Sequence, residues 1–327
     1  MVSERIVAQS VPDFHLHGKK GISVTGSSGD LAADRRYQWA AGALESRDFK
    51  AARDLFTQTA ALAPAWAPAW FGLGEALQAL DRRKEALAAF REALALDPAD
   101  SAGAALRVAF LAGESPATAP RAYVKTLFDQ YAAKFDRHLV EALAYRGPDI
   151  LDAAIARAAP GRVFVHALDL GCGAGLFGAT FRSKAERLTG IDLSPAMIGQ
   201  ARGKGLYDRL VAADLLDFLG AEPDASADLA AAADVFVYIG DLAPIFAEVA
   251  RVLDRDGLFA FTAQSHEIGQ GGQPFRLGAD MRFSHAAAYL RDCAAKTGFA
   301  VLELSPAVTR KDRGADVPGW AAILRKI

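Results

Sequence analysis

"HALDLGCGAGLFG", residues 166–178, runs out of an apolar segment straight into Gly171, Gly173, Gly175 and Gly178, with Asp169 just ahead of them. A tight turn needs only one or two glycines, because each costs chain entropy on folding. A run of them implies that something must approach the backbone closely there. The apolar residues before the turn predict a buried strand, and the residues after it a helix.

From this turn onward, strands and helices alternate. Strands are predicted over 163–169, 187–192, 209–213, 229–233 and 257–263, each followed by a helical segment. That alternation predicts an α/β fold with a doubly wound, mostly parallel sheet. Two last strands, "FAVLELSPAV" (299–308) and "GWAAILRK" (319–326), are separated only by "TRKDRGADVP". That segment is too short for a crossover helix, so the two strands pair antiparallel and bring the sheet to seven strands. Arg310, Lys311 and Arg313, within it, read as a solvated turn.

Ligands of such sheets sit outside the carboxyl ends of the strands. There the sequence sets Asp169, then Asp192 in "GIDLSPAM", then Asp214 in "VAADLLDF". Asp192 suits a pair of ribose hydroxyls, and Asp214 an adenine amino group. Ser194 and Pro195 cap and start the helix after Asp192. Taken singly, each aspartate reads as a helix cap; three at successive strand ends read as a binding site.

Two cofactors fit a glycine turn and a ribose carboxylate. "GAGLFG", residues 173–178, matches the dinucleotide fingerprint, and Asp192 is acceptably placed for it, which keeps an NAD(P)-dependent oxidoreductase open. Against it, Asp169 would set an anion beside a pyrophosphate, and the terminal antiparallel pair is foreign to that fold. Together the residues resemble the class I S-adenosylmethionine-dependent methyltransferases over roughly 120–327. The resemblance implies that Asp169, Gly171, Cys172, Gly173 and Gly175 hold the methionine part of S-adenosyl-L-methionine. It implies Asp192 and Leu193 at the ribose, Met197 packed on the adenine, and Asp214 with Leu215 reading the adenine edge. A helix ahead of the first strand, carrying Tyr131, Phe135 and His138, is implied as a lid. This ligand carries an ammonium and a sulfonium and no phosphate, which suits a carboxylate-led turn.

The acceptor then approaches over the fourth and fifth strand ends. "ADVFVYIGD" places Asp234 and Tyr238 there. "TAQSHEIGQGGQPFRLGADMRFSH" (262–285) leaves the fifth strand and returns on the same side, so His266, Arg282 and His285 are expected near one another, with Ser284 capping the next helix. His266 is the candidate base and Arg282 a candidate anion receptor. Each also reads as an anchor for the glycine-rich insert.

N-terminal to this domain, Ala52, Phe56, Leu62 and Pro64 recur as Ala86, Phe90, Leu96 and Pro98, each displaced by 34 positions. That is the tetratricopeptide period. Trp70, Leu73, Gly74 and Leu77 occupy first-helix positions of the second copy. The first copy departs from the pattern, with Arg36 at the aromatic position and Trp39 one turn later. The expected division is a mobile arm over 1–30, repeats with a capping helix over 31–112, a linker over 113–120 ("GESPATAP" within it) and the α/β domain over 121–327. The whole looks like bacterial methyltransferases that carry such repeats. The repeats would dock a partner or support assembly, and a repeat adaptor with an inactive catalytic domain stays open.

The chain has 327 residues, 52% hydrophobic and 23% charged, with a formal net charge of -2. That balance gives no electrostatic footprint for nucleic acid or an anionic membrane. Cys172 and Cys293 form neither a metal-ligand spacing nor a disulfide framework. No metal is expected. The N-terminus lacks an apolar leader and Asp234 breaks the longest apolar run, so a cytoplasmic enzyme acting on a small molecule or a protein is expected.

Overall fold

The computed structural model describes residues 26–132, 145–266, 272–312 and 314–327. The chain forms two compact units, one of Met1–Gly113 with Gly278–Arg282, the other of Glu114–Leu277 with Phe283–Ile327.

Among the described residues the first unit contains the helices α1 (Leu31–Glu45), α2 (Phe49–Leu62), α3 (Ala67–Ala79), α4 (Arg83–Leu96) and α5 (Ala104–Ala112). Asp30 and Asp48 cap α1 and α2 by accepting backbone N–H bonds. The small residues of α3 bring helices together. A Cβ on Gly72 would stand 2.4 Å from the Phe56 ring, and one on Gly74 would stand 2.6 Å from Phe90. Both rings are buried. The first copy's aromatic is Tyr37, whose ring lies 5.4 Å from Phe56 and 4.8 Å from Trp66. Trp39 instead faces outward, 62% exposed. Asp100 starts α5 by accepting from the Ala104 and Ala105 N–H groups.

The second unit is a seven-stranded sheet in the order β3-β2-β1-β4-β5-β9-β8. Its strands are β1 (Phe164–Leu170), β2 (Ala185–Asp192), β3 (Arg209–Ala212), β4 (Ala227–Ala232), β5 (Leu253–Gln264), β8 (Phe299–Asp312) and β9 (Ala315–Lys326). The first five are parallel, and β9 runs antiparallel to both neighbours. Every residue of β4 is buried, as a central parallel strand requires. Phe236, Phe246, Phe259 and Phe261 fill one core; Leu151, Ile155, Phe164, Phe181 and Leu188 fill another. Among the described residues its helices are α6 (Arg121–Tyr131), α7 (Gly147–Ala158), α8 (Leu176–Phe181), α9 (Pro195–Gly203), α10 (Leu215–Ala221), α11 (Ala243–Val252) and α12 (Ala287–Lys296).

Two sequence expectations change. A small antiparallel pair, β6 (Phe275–Leu277) with β7 (Phe283–His285), interrupts the insert. Ser284 and His285 are therefore strand residues, and α12 starts at Ala287 without a side-chain cap. The terminal hairpin is also far tighter than a ten-residue loop, because β8 continues to Asp312 and β9 begins at Ala315. Lys311 does lie exposed in an ion pair with Asp316. Arg310 does not: it is 4% exposed. The register shifts between Val308 and Lys311, so Thr309 and Arg310 sit in a bulge, a device that re-aims side chains.

Candidate functional site

The sheet order reverses between β1 and β4, which opens a crevice at their carboxyl ends. The glycine turn lies there. Gly171, Gly173 and Gly175 have φ of 74°, 51° and 88°, all in the left-handed region that side chains disfavour. The Gly171 and Cys172 N–H groups both donate to the Ile191 carbonyl at 2.8 Å, which ties the turn to β2. A Cβ on Gly171 would stand 2.5 Å from Val235. The glycines are thus demanded by backbone angle and by close approach together.

Asp192 ends β2 with both oxygens oriented: Oδ2 accepts from the Gly173 N–H at 2.9 Å and Oδ1 from the Ser194 N–H at 2.8 Å. Burial pushes its pKa up to about 6 against those two bonds. Asp169 is 1% exposed and accepts from the Tyr207 hydroxyl at 2.6 Å. Burial raises its pKa to about 7, the Tyr207 bond opposes this, and Asp192 adds to it. Among the described residues neither carboxylate has an ion-pair partner. Burial and both aspartates also hold the Cys172 thiol well above its ordinary range, so it is a neutral packing group.

Asp214 caps α10 by accepting from the Leu216 N–H at 3.0 Å, and it pairs with Arg121 at 3.0 Å. Leu215 beside it is buried and Leu193 is half-buried. Met197 is fully buried in a cluster with Tyr131, Ala132 and Ala174, so α6 packs over the helix that follows Asp192. Asp129 of α6 accepts from the Ser194 hydroxyl and from the Ala196 N–H. Phe135 and His138 lie outside the described residues.

On the acceptor side, Asp234 follows β4 with φ 61° and donates its N–H to Thr262 Oγ1 at 2.8 Å. Its carboxylate is held by Arg310. Tyr238 packs edge-on against Phe128, with ring centroids 5.4 Å apart. His266 Nε2 lies 3.1 Å from the Gln273 carbonyl, while its Nδ1 is buried without a partner. His285 lies close enough to His266 to feel its charge, but it is fully buried and its Nε2 donates to the Ile239 and Gly240 carbonyls. Burial pushes its pKa down to about 4, so it stays neutral. Arg282 belongs with Gly278–Met281 to the other compact unit.

Sequence reasoning missed Tyr207, Tyr145, Asp129, Arg121 and Arg310. Tyr207 left one signal, the glycines at 175, 178 and 190, whose Cβ atoms would stand 3.0, 2.4 and 2.8 Å from its side chain. Among the described residues no cluster of three or more His, Cys, Asp or Glu could hold a metal, and no helix is long and apolar enough to cross a membrane.

Comparison with known proteins agrees with this geometry. Residues 168–261 match the family model described as a methyltransferase domain, and residues 67–100 match the tetratricopeptide repeat. A stretch of 98 residues is 38% identical to methyltransferase-like protein 27 of Homo sapiens, over 29% of this chain and 38% of that protein. Another of 110 residues is 32% identical to malonyl-[acyl-carrier protein] O-methyltransferase of Serratia marcescens, over 32% of this chain and 42% of that protein. The chain thus spans less than half the length of these two relatives. Its fold is similar to the crystal structure of the [4+2]-cyclase SpnF, with a TM-score of 0.51 and 19% identity over 62% of this chain and 94% of that one. That likeness concerns the fold alone, since one fold hosts many reactions. The chain thus carries a region similar to methyltransferase domains over residues 168–261, behind a region similar to the tetratricopeptide repeat over residues 67–100.

Proposed function

We propose that this chain transfers the methyl group of S-adenosyl-L-methionine to an acceptor arriving over the carboxyl ends of β4 and β5. The observation that carries the reading is the pair of buried carboxylates, Asp169 and Asp192, beside a glycine turn. A pyrophosphate would add anions to two carboxylates already raised by burial, whereas a cationic ligand relieves them. When bound, the cofactor supplies an electrophilic methyl on its sulfonium.

The protein's part is to align the acceptor's lone pair with that methyl and to exclude water. Asp192 receives the ribose hydroxyls on oxygens that two backbone N–H groups already orient. Helix α6, with Tyr131, covers the site. An acceptor that arrives protonated needs a base. His266 suits this role: its Nε2 faces the Gln273 carbonyl, while its Nδ1 is the ring nitrogen without a partner. Neutral His285 has spent its donor on two carbonyls, and Asp234 is engaged by Arg310. Tyr238 and Arg282 remain acceptor candidates. We assign the repeats to partner docking or assembly, and the setting to the cytoplasm.

Calorimetry tests the core of this proposal. The chain is expected to bind S-adenosylhomocysteine and not NAD, and Asp192→Ala to weaken that binding by about 1–3 kcal/mol, the cost of a lost charge-assisted bond. Tight NAD binding without heat from the sulfonium cofactor would overturn it. The Serratia relative's name makes a carrier-protein acyl group the first acceptor to assay with labelled cofactor.

A further inference from the structure

Trp39 is the tryptophan that the fold leaves unused. Trp66 lies against Tyr37, Trp70 Nε1 donates to the Pro64 carbonyl at 2.9 Å, and Trp320 Nε1 donates to the His285 carbonyl at 3.0 Å. Trp39 is 62% exposed and, among the described residues, makes neither a hydrogen bond nor a ring contact. It does not stand alone. Leu31, Arg35, Gln38, Gly42 and Glu45 are exposed with it, at spacings of three and four residues that put them on one face of α1. Tyr37, Ala40 and Leu44, on the other side, enter the helical core. The charges of α1 divide in the same way. Asp34 accepts from the Ser27 and Ser28 hydroxyls, and Arg36 donates to Gln58 Oε1 at 3.1 Å. Arg35 and Glu45, on the exposed face, have no partner among the described residues.

Helix α1 is the first of the array and packs on α2 and α3. Such an array stays soluble by ending in a polar outer face, because an apolar end invites a further neighbour. Leu31 and Trp39 leave this end uncapped. The spacing of the charges names the neighbour. Arg35 and Glu45 stand ten residues apart with Trp39 near the midpoint, a separation of about 15 Å along a helix. A second α1 laid antiparallel across the first sets Arg35 of each copy opposite Glu45 of the other. It also brings the two Trp39 rings together at the centre. A parallel pair would instead oppose like charges. Gly42 adjoins Trp39 on this face, and a Cβ there would meet nothing within 4 Å, so the surface is open to an incoming ring.

We propose that the exposed face of α1 is a two-fold interface through which two copies of this chain associate, with Trp39 packed on Trp39 and an Arg35–Glu45 pair on either side. An isologous contact of this kind closes on itself and gives a dimer rather than a filament. It stacks two short arrays into one of twice the length, which supplies the neighbour that two repeats and a cap lack. The inference deepens the assembly reading of the repeats and rests on it.

Sedimentation equilibrium of the full chain tests it. A single helix pair is a small interface, so a reversible monomer–dimer equilibrium with a Kd of about 1–100 µM is expected. Trp39→Ala is expected to weaken the dimer at least about tenfold, as for a tryptophan at the centre of an interface. Arg35→Glu and Glu45→Arg each set like charges opposite one another and are expected to weaken it several-fold; the double variant should regain the original constant. These side chains are exposed, and circular dichroism reports that each variant is folded. The emission lost in Trp39→Ala supplies a second readout, since its protection from acrylamide should grow with protein concentration. Protection already complete in the monomer would put another part of the same chain on this face and overturn the proposal. A dimer whose constant none of the variants moves, or a double variant no tighter than the single ones, overturns it and leaves assembly to another surface. A chain that stays monomeric well above the expected range overturns both the interface and the assembly reading, and leaves this face to a different protein.

Discussion

Tyr207 shows how one side chain sets the chemistry of another far along the sequence. Its hydroxyl donates to Asp169 and accepts the Gly178 N–H at 3.2 Å, while its ring occupies the space that Gly175, Gly178 and Gly190 leave open. The groups facing Asp169 are Tyr207, Asp192, Tyr145 and the Cys172 thiol. A cationic ligand binds the ionised carboxylate, so affinity should grow with pH as Asp169 loses its proton near 7 and Asp192 near 6. The expected titration by calorimetry is weak binding of S-adenosyl-L-methionine, which carries the sulfonium cation, at pH 5, rising to a plateau above pH 8. Tyr207→Phe keeps the ring and removes the bond that lowers the Asp169 pKa, so the midpoint should move to higher pH. A midpoint that stays in place would mean that Tyr207 only packs. The glycines themselves were legible in the sequence, because left-handed backbone and close approach are local demands. Their partner was not, since nothing in a single chain marks which tyrosine will fold onto them.

At the scale of elements, helix α6 is tethered at both ends to the loops that follow β2 and β3. Arg121 pairs with Asp214 and Asp217, and Asp129 holds Ser194 and Ala196. Although burial pushes the other way, the Lys125 and Ser194 bonds keep the Asp129 carboxyl below its usual range. The two tethers should differ in weight. Arg121 is 57% exposed, and such a pair contributes about 0–1 kcal/mol. Asp129 instead satisfies a hydroxyl and a helix N–H. Asp129→Ala is therefore expected to speed S-adenosylhomocysteine dissociation by roughly tenfold in stopped flow, the rate equivalent of about 1.4 kcal/mol. Arg121→Ala should change it by less than about twofold. Equal effects would show that the helix is held by its apolar face alone. Helical periodicity made α6 legible in the sequence, as alternation did the parallel strands. The extended β8–β9 hairpin was not, because Arg310–Asp316 reads as a charged loop and Pro318 argues against a strand. Lys311 and Asp312 nevertheless pair with Asp316 and Ala315 in a ladder, with Pro318 opposite Val308.

For the whole molecule, the boundary between the repeats and the α/β unit decides what each can do alone. All the proposed cofactor residues lie in the second unit, so the repeats should be dispensable for binding the cofactor. Two repeats and a cap are few for a solenoid, which gains stability by stacking neighbours. Residues 115–119, expected as a linker, bond within the second unit. Ser115 accepts from the Leu277 N–H at 3.0 Å, Ala117 from the Gly240 and Asp241 N–H groups at 2.8 Å, and Ala119 donates to the Tyr238 carbonyl at 2.9 Å. This strap fixes the loop that carries Tyr238, on the side where the acceptor is proposed to enter. Two fragments separate its role from that of the repeats. Residues 114–327 should bind S-adenosylhomocysteine as the full chain does and melt cooperatively. Residues 121–327 lose the strap's bonds to Tyr238, Gly240, Asp241 and Leu277, each contributing about 0.5–1.5 kcal/mol, so that fragment should melt lower. Cofactor affinity should fall little, because Asp169, Asp192 and the glycine turn do not touch the strap. Identical melting of the two fragments would show that 114–120 is a passive connection. Loss of cofactor binding in 114–327 would move part of the pocket into the repeats.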